Sequence, residues 1–135
     1  MSFSLSQTVQ GYFMAWVRGT DMPSAPQNLE IGLLTGLPNH DGTGVNEPNN
    51  LNGYSRQAVS FDAATVNGQV TTIQNSSALV FGPVTGSDWP TVTHAAVFDA
   101  DTGDMLWYGP LPASRTAPVG DSASFGAGAI QFKLK

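Results

Sequence analysis

Three carboxylates lie close together around a glycine, as they do at the start of a calcium-binding loop. They belong to Asp99, Asp101 and Asp104, with Gly103 between the last two. A twelve-residue calcium loop that began at Asp99 would need a bidentate glutamate at position 110, where Pro110 stands. A hairpin turn, in which Asp and Thr side chains accept hydrogen bonds from nearby backbone N–H groups, explains the same residues. We therefore predict a hairpin, and a metal site at the three carboxylates is the alternative.

The two histidines offer little chemistry. Neither His40 nor His94 has a second His or a Glu at metal-ligand spacing. Strand alternation places His94 on the same face as Ala96 and Phe98, which predicts a partly buried, hydrogen-bonded imidazole. The chain has no cysteine, no G-x-S-x-G nucleophile turn and no G-K-[ST] phosphate loop. We expect neither an enzyme nor a bound cofactor.

Large aromatic side chains are the remaining candidates for recognition. Tyr54, Trp89, Trp107 and Tyr108 lie at or near the ends of predicted strands. Trp107 and Tyr108 are adjacent in one strand, so their side chains point to opposite faces. A ring on the surface suits a protein or glycan contact, because large amphipathic rings lose little rotamer entropy on binding. Packing in the core is the alternative for each of them.

A long irregular segment is a second candidate for an interface. Residues 36–53 hold five Asn, four Gly and two Pro without periodicity, which predicts a loop. Loops of this length are usually functional or mobile. The candidate interface residues of the chain are Trp16, His40, Asn49, Asn50, Tyr54, Trp89 and Trp107.

An amphipathic helix is predicted at the start of the chain, over residues 4–18. Its apolar positions follow i, i+4, i+7, i+8 spacing, with Ser4 as a plausible N-cap and Gly19 just past the end. They are Leu5, Val9, Tyr12, Phe13, Trp16 and Val17. This stripe must be covered, either by the rest of the domain or by a neighbouring subunit.

Short strand patterns follow the helix. In the first of them, Leu29, Ile31 and Leu33 alternate on one face, as in a half-buried strand. The others are 54–61, 70–73, 77–81, 91–98, 105–109 and 128–134. Segments 66–69 and 101–104 have the composition of hairpin turns. The pattern predicts one domain, residues 1–135, that is mainly β: an antiparallel β-sandwich of about seven to eight short strands over 29–134, with a jelly roll as one form of it, and the N-terminal α-helix.

Charge is sparse. Charged residues make up 11% of the chain, against about 25% in ordinary soluble domains. Sparse charge suggests contact with other subunits, and a soluble surface rich in Ser, Thr and Asn is the alternative. Ten acidic and five scattered basic residues make a nucleic-acid partner unexpected. No apolar run approaches the length of a membrane helix, and the start lacks the layout of a secretory signal.

Three segments carry a resemblance to a known family. They are G-Y-S-R-Q-A-V-S-F at 53–61, D-W-P-T-V-T-H at 88–94 and G-D-S-A-S-F-G-A-G at 120–128. In this order they resemble a family of small virion proteins of tailed bacteriophages, labelled tail-fibre-like, head-decoration or simply structural. The resemblance runs from about Leu29 to Leu134. Pro90 departs from it, since a glycine often follows the D-W pair.

The resemblance implies a non-enzymatic structural protein of the virion, assembled in the cytoplasm of the bacterial host. Because the chain is too short for a self-contained fibre stalk, we expect a capsid decoration or cement protein that stabilises the head shell. Its partners would be the major capsid protein and itself, as a homotrimer. The alternatives are a subunit at the tail tip or fibre, with tail proteins as partners, and a β-sandwich module that binds a host glycan. No cofactor, nucleic acid or membrane is expected.

Overall fold

The structure is a computed structural model that describes residues 3–135. Within them the chain forms one α-helix, α1 (Gln7–Val17), a short 3-10 helix at Asn50–Asn52, and ten strands. The strands are β1 (Ser4–Leu5), β2 (Leu29–Leu34), β3 (Gln57–Ala58), β4 (Thr65–Asn67), β5 (Val70–Gln74), β6 (Leu79–Phe81), β7 (Trp89–Asp99), β8 (Met105–Ala117), β9 (Ala123–Phe125) and β10 (Gln131–Leu134).

The strands pair antiparallel and form three sheets. The largest has the order β1-β8-β7-β2-β3, the second has the order β10-β5-β4, and the third pairs β6 with β9. The sandwich-like arrangement confirms the predicted antiparallel, mainly β fold with its N-terminal helix. Within residues 3–135, no helix has the length and apolar character needed to cross a membrane.

The main core is rich in aromatic rings, and Phe132 on β10 joins several parts of the chain. Its ring lies 4.4 Å from that of Phe3, 4.9 Å from Trp107 and 5.2 Å from Phe61, measured between ring centroids. The strand therefore holds the N-terminal segment and β8 against the second sheet. Burial of such large rings is the main stabilising contribution to a core of this kind.

Strand β2 is buried on both faces, so the predicted half-buried alternation is wrong. Ile31 and Leu33 face the main core, as expected, but Leu34 is also fully buried. It packs in a second, smaller core with Phe98 of β7 and Met105 of β8. Val45 of the long loop packs against this second core. The loop thus covers a face that the strand pattern assigned to solvent.

Strand β8 extends well beyond the predicted 105–109. Pro110 and Pro112 follow the predicted segment, and proline removes a ladder hydrogen bond. In the structure β8 continues to Ala117, which pairs with Trp89 of β7. On its other side β8 pairs with β1 only at Trp107 and Tyr108. Beyond them that edge is free among the described residues, and a free edge tolerates proline.

The predicted strand 54–61 is mostly irregular. Only Gln57–Ala58 (β3) pairs with β2, and Phe61 forms an isolated bridge with Asn75. The ladder stops because Tyr54 turns into the core. Its hydroxyl accepts the hydrogen bond of the Leu33 N–H at 2.9 Å, in place of a neighbouring strand.

The helix starts later than predicted. Ser6 is the N-cap, and its side chain accepts a hydrogen bond from the backbone N–H of Val9. Ser4, the predicted cap, instead belongs to β1 and pairs with Tyr108 of β8. The preceding backbone is held in this sheet, so helical geometry begins only after Ser6. Gly19 follows the helix with a φ of 96°, as its predicted place past the end requires.

Candidate interaction surface

The structure separates the candidate interface residues into buried and surface groups. Tyr54 and Trp89 are 6% and 4% exposed, so they do not present their rings to a partner. The Trp89 indole N–H donates to the Asn52 carbonyl at 2.8 Å, and the ring packs edge-on against Tyr54. Trp107 is half-buried and stacks on Phe132. For these three aromatics, core packing is the role that the structure supports.

Asn49 and Asn50 lie on the surface, in the long loop. The Asn49 side chain accepts a hydrogen bond from the backbone N–H of Leu51 at 2.9 Å, and so caps the 3-10 helix. Leu51 itself is 82% exposed. The predicted loop 36–53 is confirmed as irregular apart from this turn. Its backbone is also bonded to the residue that follows β2, where the Thr35 N–H donates to the Asn46 carbonyl.

A half-buried polar cluster, here called the loop anchor, fixes the loop over β2. It consists of Glu30, Glu47, Tyr54 and Arg56. Glu47 accepts hydrogen bonds from the Tyr54 hydroxyl at 2.6 Å and from Arg56 Nε and Nη2 at 3.0 Å each. Arg56 also contacts Glu30 at 3.2 Å, and its guanidinium lies 3.6 Å from the centroid of the Phe98 ring. Burial lowers the pKa of Arg56, but the bonds and charge of Glu47 and then Glu30 outweigh it and raise the pKa overall.

Tyr54 makes stability sensitive to high pH. Burial first, and the hydrogen bond to Glu47 second, raise its pKa well above the ordinary 10.0. The unfolded chain therefore loses this proton at a pH where the folded chain keeps it. The contribution to stability is fully present below pH 10 and is lost as the pH rises above it.

We expect the free energy of unfolding to fall through this group by up to about 1.4 kcal/mol per pH unit above pH 10. Urea unfolding of the wild-type chain between pH 8 and pH 11 measures the slope. A Tyr54→Phe variant should be less stable at pH 8, because Glu47 loses a donor, and should show a shallower alkaline decline. Equal slopes for the two proteins would contradict this role of Tyr54.

His40 connects the long loop to the helix and to the sheet. Its Nε2 lies 2.8 Å from Gln10 Oε1, and its Nδ1 lies 2.8 Å from the Tyr108 hydroxyl. Because the Gln10 oxygen can only accept a hydrogen bond, His40 Nε2 must donate to it. Nδ1 of this tautomer then accepts the hydrogen bond of the Tyr108 hydroxyl. The His40 carbonyl also accepts from the Gln7 N–H, the first of the helix. These bonds give His40 a structural role within the subunit.

The segment from Asp99 to Asp104 is a hairpin turn, as predicted. The Asp99 N–H donates to the Asp104 carbonyl, and the Gly103 N–H donates to the Asp99 carbonyl. Asp99 Oδ1 accepts from the Asp101 N–H at 2.9 Å, and the Asp101 carboxylate accepts from Asn28. Among the described residues, no three His, Cys, Asp or Glu side chains are grouped to hold a metal ion. The absence of a metal requirement stays a prediction.

His94 has the environment that its strand position predicted. It is half-buried, and its Nδ1 lies 2.7 Å from the Thr93 hydroxyl. This contact is with a neighbour in the same strand. The geometry suits a structural imidazole.

Helix α1 contacts the body of the domain with one side only. The half-buried residues Thr8, Val9, Tyr12 and Ala15 follow i, i+1, i+4, i+7 spacing, and none of the helix is fully buried. We call the remaining apolar surface the helix flank. Its side chains are Phe13, Met14, Trp16 and Val17, which are 46%, 61%, 56% and 61% exposed. The alternative that the domain itself covers Trp16 is therefore wrong. The other alternative, that a neighbouring subunit covers it, stays a prediction.

The helix flank carries no charge of its own, and Arg18 borders it at the end of the helix. No charged residue precedes Arg18 in the sequence. The rings of Phe13 and Trp16 lie 5.9 Å apart, so they form one continuous surface. Sequence reasoning found Trp16 but missed Met14, which lies off the predicted stripe. The one sequence signal that indicates the wider apolar surface is the absence of charged residues before Arg18.

A groove lies beside the helix, between α1, residues 22–26 and the hairpin of β7 and β8. We call it the side groove; its volume is about 280 Å³. Its apolar lining comes from Val9, Tyr12, Met22, Pro23, Leu106 and Trp107. Asp99, Thr102 and Asp104 of the hairpin also line it. Sequence patterns did not predict this groove, because residues 22–26 have no periodicity that would place them against the helix.

A scan against protein families identifies one family model. The model is described as podophage GP4 fiber I protein gp80, and it matches residues 4–133. The chain belongs to this family. Among curated proteins, none matches the chain.

Membership in the gp80 fiber family makes the chain a member of a phage virion structural protein family. The resemblance read from the three sequence segments is confirmed, in the form of its tail-fibre-like label. The matched range covers α1, the long loop and all three sheets. The helix flank, the side groove and the loop anchor all lie within it.

Proposed function

We propose that the protein is a non-enzymatic structural subunit of a phage fibre, held in the virion through its helix flank. The observation that carries the proposal is a well-packed domain whose helix presents four large apolar side chains to solvent. Exposed apolar patches of this kind mark interaction sites in soluble proteins. The family description, which names a fiber protein, supplies the assembly in which such a site is used.

The polar groups of the chain support a structural role. Glu47 and Arg56 pair with one another and fix the loop, and His40 bonds to the helix and to the sheet. Titratable side chains that are bonded within the fold in this way stabilise it. A structural role is therefore sufficient to account for these residues, and no catalytic role is needed.

The family description favours the fibre over the head. Decoration of the capsid, with the major capsid protein as partner, and assembly as a homotrimer remain predictions from the sequence. The glycan-binding alternative relied on exposed Trp89 and Trp107 or on the long loop. Burial of Trp89 and the stacking of Trp107 on Phe132 weaken it.

Gold labelling of purified virions tests the proposed location. An antibody raised against the folded chain should place gold at the fibres, with a few copies per particle. An antibody against the major capsid protein, used on the same preparation, is the control for labelling of the head. Gold spread over the whole head would replace the fibre proposal with decoration, and a particle that lacks the protein would refute both.

A further inference from the structure

We propose that the partner of the helix flank is a second copy of this chain, with Trp16 of one copy seated in the side groove of the next. This deepens the proposed function by naming the partner, and it rests on that proposal for the two copies being neighbours in the virion. The proposal gives a role to the exposed helix flank and to the side groove, which the contacts within one copy do not explain. The flank supplies the exposed indole of Trp16, and the groove supplies a largely apolar cavity that can accept it.

The helix flank has the area expected of the centre of an interface. From their exposed fractions, its four side chains present on the order of 400 Å² to solvent, about half of what one partner contributes to a standard interface. Trp is among the residues that most often dominate binding energy. The flank residues themselves carry no charge, and the one charged side chain beside them is the exposed Arg18 at the helix end.

The side groove suits a single aromatic side chain. Its volume of about 280 Å³ falls just below the range of small-molecule sites. Tyr12, Met22 and Leu106 are among the side chains that make its lining largely apolar. Pro23 and Pro26 form one wall, and proline has little backbone freedom to lose when a partner binds.

The polar rim of the groove matches the one polar atom of an indole. A buried Trp side chain usually donates its N–H to an acceptor. The hairpin residues Asp99, Thr102 and Asp104 line the groove, and the side chains of Asp99 and Thr102 already accept backbone N–H groups of the hairpin. Among the described hydrogen bonds, the Asp104 carboxylate accepts none, so it is free to receive an N–H.

Both halves of the contact lie side by side on each copy. Val9 and Tyr12 line the groove, whereas Trp16 lies further along the same helix and outside the lining. In the proposed arrangement, a copy offers its Trp16 to one neighbour and its groove to another. Such a head-to-tail contact builds a ring if the rotation closes and a filament if it does not.

Two complementary variants of the full chain test this arrangement by sedimentation equilibrium. Trp16→Ser removes the projecting side chain but keeps the groove, and Thr102→Trp fills the groove but keeps Trp16. Each variant alone should associate at least about 30-fold more weakly than wild type. An equimolar mixture should form a one-to-one pair with near wild-type affinity, because one intact Trp16 then meets one intact groove.

Leu51→Ser is the control, since it removes a large apolar side chain that is 82% exposed elsewhere on the surface; it should associate like wild type. Circular dichroism checks that each variant folds, and Ser24→Trp replaces Thr102→Trp if that variant does not. Wild-type chain that stays monomeric at about 100 μM would overturn the proposal. So would a variant that associates normally, or a mixture that forms no pair. A monomeric chain that gold still places at the fibre would leave the proposed function standing.

Discussion

Phe132→Ala should lower the free energy of unfolding by about 3–5 kcal/mol, the largest loss that we expect from a single substitution. The Phe132 side chain is 1% exposed and contacts the rings of Phe3, Phe61 and Trp107. Removing it leaves a cavity among three rings that belong to different parts of the chain. Urea unfolding at neutral pH measures the loss.

Leu134→Ala is the control in the same strand. Leu134 is about half exposed, so its truncation should change the free energy of unfolding by about 0.5 kcal/mol or less. Equal losses for the two variants would mean that Phe132 does not join the N-terminal segment and β8 to the second sheet as described.

The second large effect concerns the loop anchor. Glu47→Gln should cost about 2–3 kcal/mol, because Arg56 loses its closest counter-charge while it remains half-buried. The long loop should also open locally, since Glu47 is its main bond to Tyr54 and Arg56. Hydrogen exchange at the Thr35 N–H, which donates to Asn46, reports that opening.

Glu30→Gln is the matched control for the anchor. Glu30 makes a single contact with Arg56, at 3.2 Å, whereas Glu47 makes two with Arg56 and one with Tyr54. The control should therefore lose less stability and should leave exchange at Thr35 slow. If Glu30→Gln releases the loop as fully as Glu47→Gln does, the loop is not held by Glu47.

Gly32→Ala should weaken the same anchor from the other side. A Cβ at this position would lie 2.5 Å from Glu47 Oε1 and 3.0 Å from the Tyr54 hydroxyl. The strand pattern gave no reason for a glycine in β2. The reason is the close approach of the loop anchor, which the chain forms between residues far apart in sequence.

Local patterns predicted the elements that depend on neighbours in the sequence. Alternation in the last strand predicts Ile130, Phe132 and Leu134 inside and Lys133 outside; the first two are buried and Lys133 is exposed, but Leu134 is 48% exposed, so its predicted burial is wrong. The composition of 66–69 and 101–104 predicts the two hairpins correctly. The prediction for β8 is too short because Pro110 is tolerated only at a free sheet edge, and the sequence of one strand does not show which strand forms that edge. The burial of Leu34 was missed because its cover comes from the long loop.

The candidate surface was predicted only in part. Trp16 was identified from helical spacing, but spacing cannot say which side of a helix meets the domain. The tertiary structure half-buries Thr8, Val9, Tyr12 and Ala15 and leaves Trp16 outside. Conversely, Tyr54 and Trp89 stood out as large aromatics, yet their hydrogen bonds to Leu33 and Asn52 place them in the core.

Oxidative labelling of intact virions, read by mass spectrometry, tests the central claim most directly. The helix flank holds Phe13, Met14 and Trp16, three side chains that hydroxyl radicals modify readily, and Leu51 serves as an exposed reference. If the chain is a virion subunit held through this flank, Met14 and Trp16 are labelled in the dilute isolated chain and protected in the virion, while Leu51 is labelled equally in both. Equal labelling of Trp16 in the two states, or no peptide of this chain in purified virions, would contradict the account.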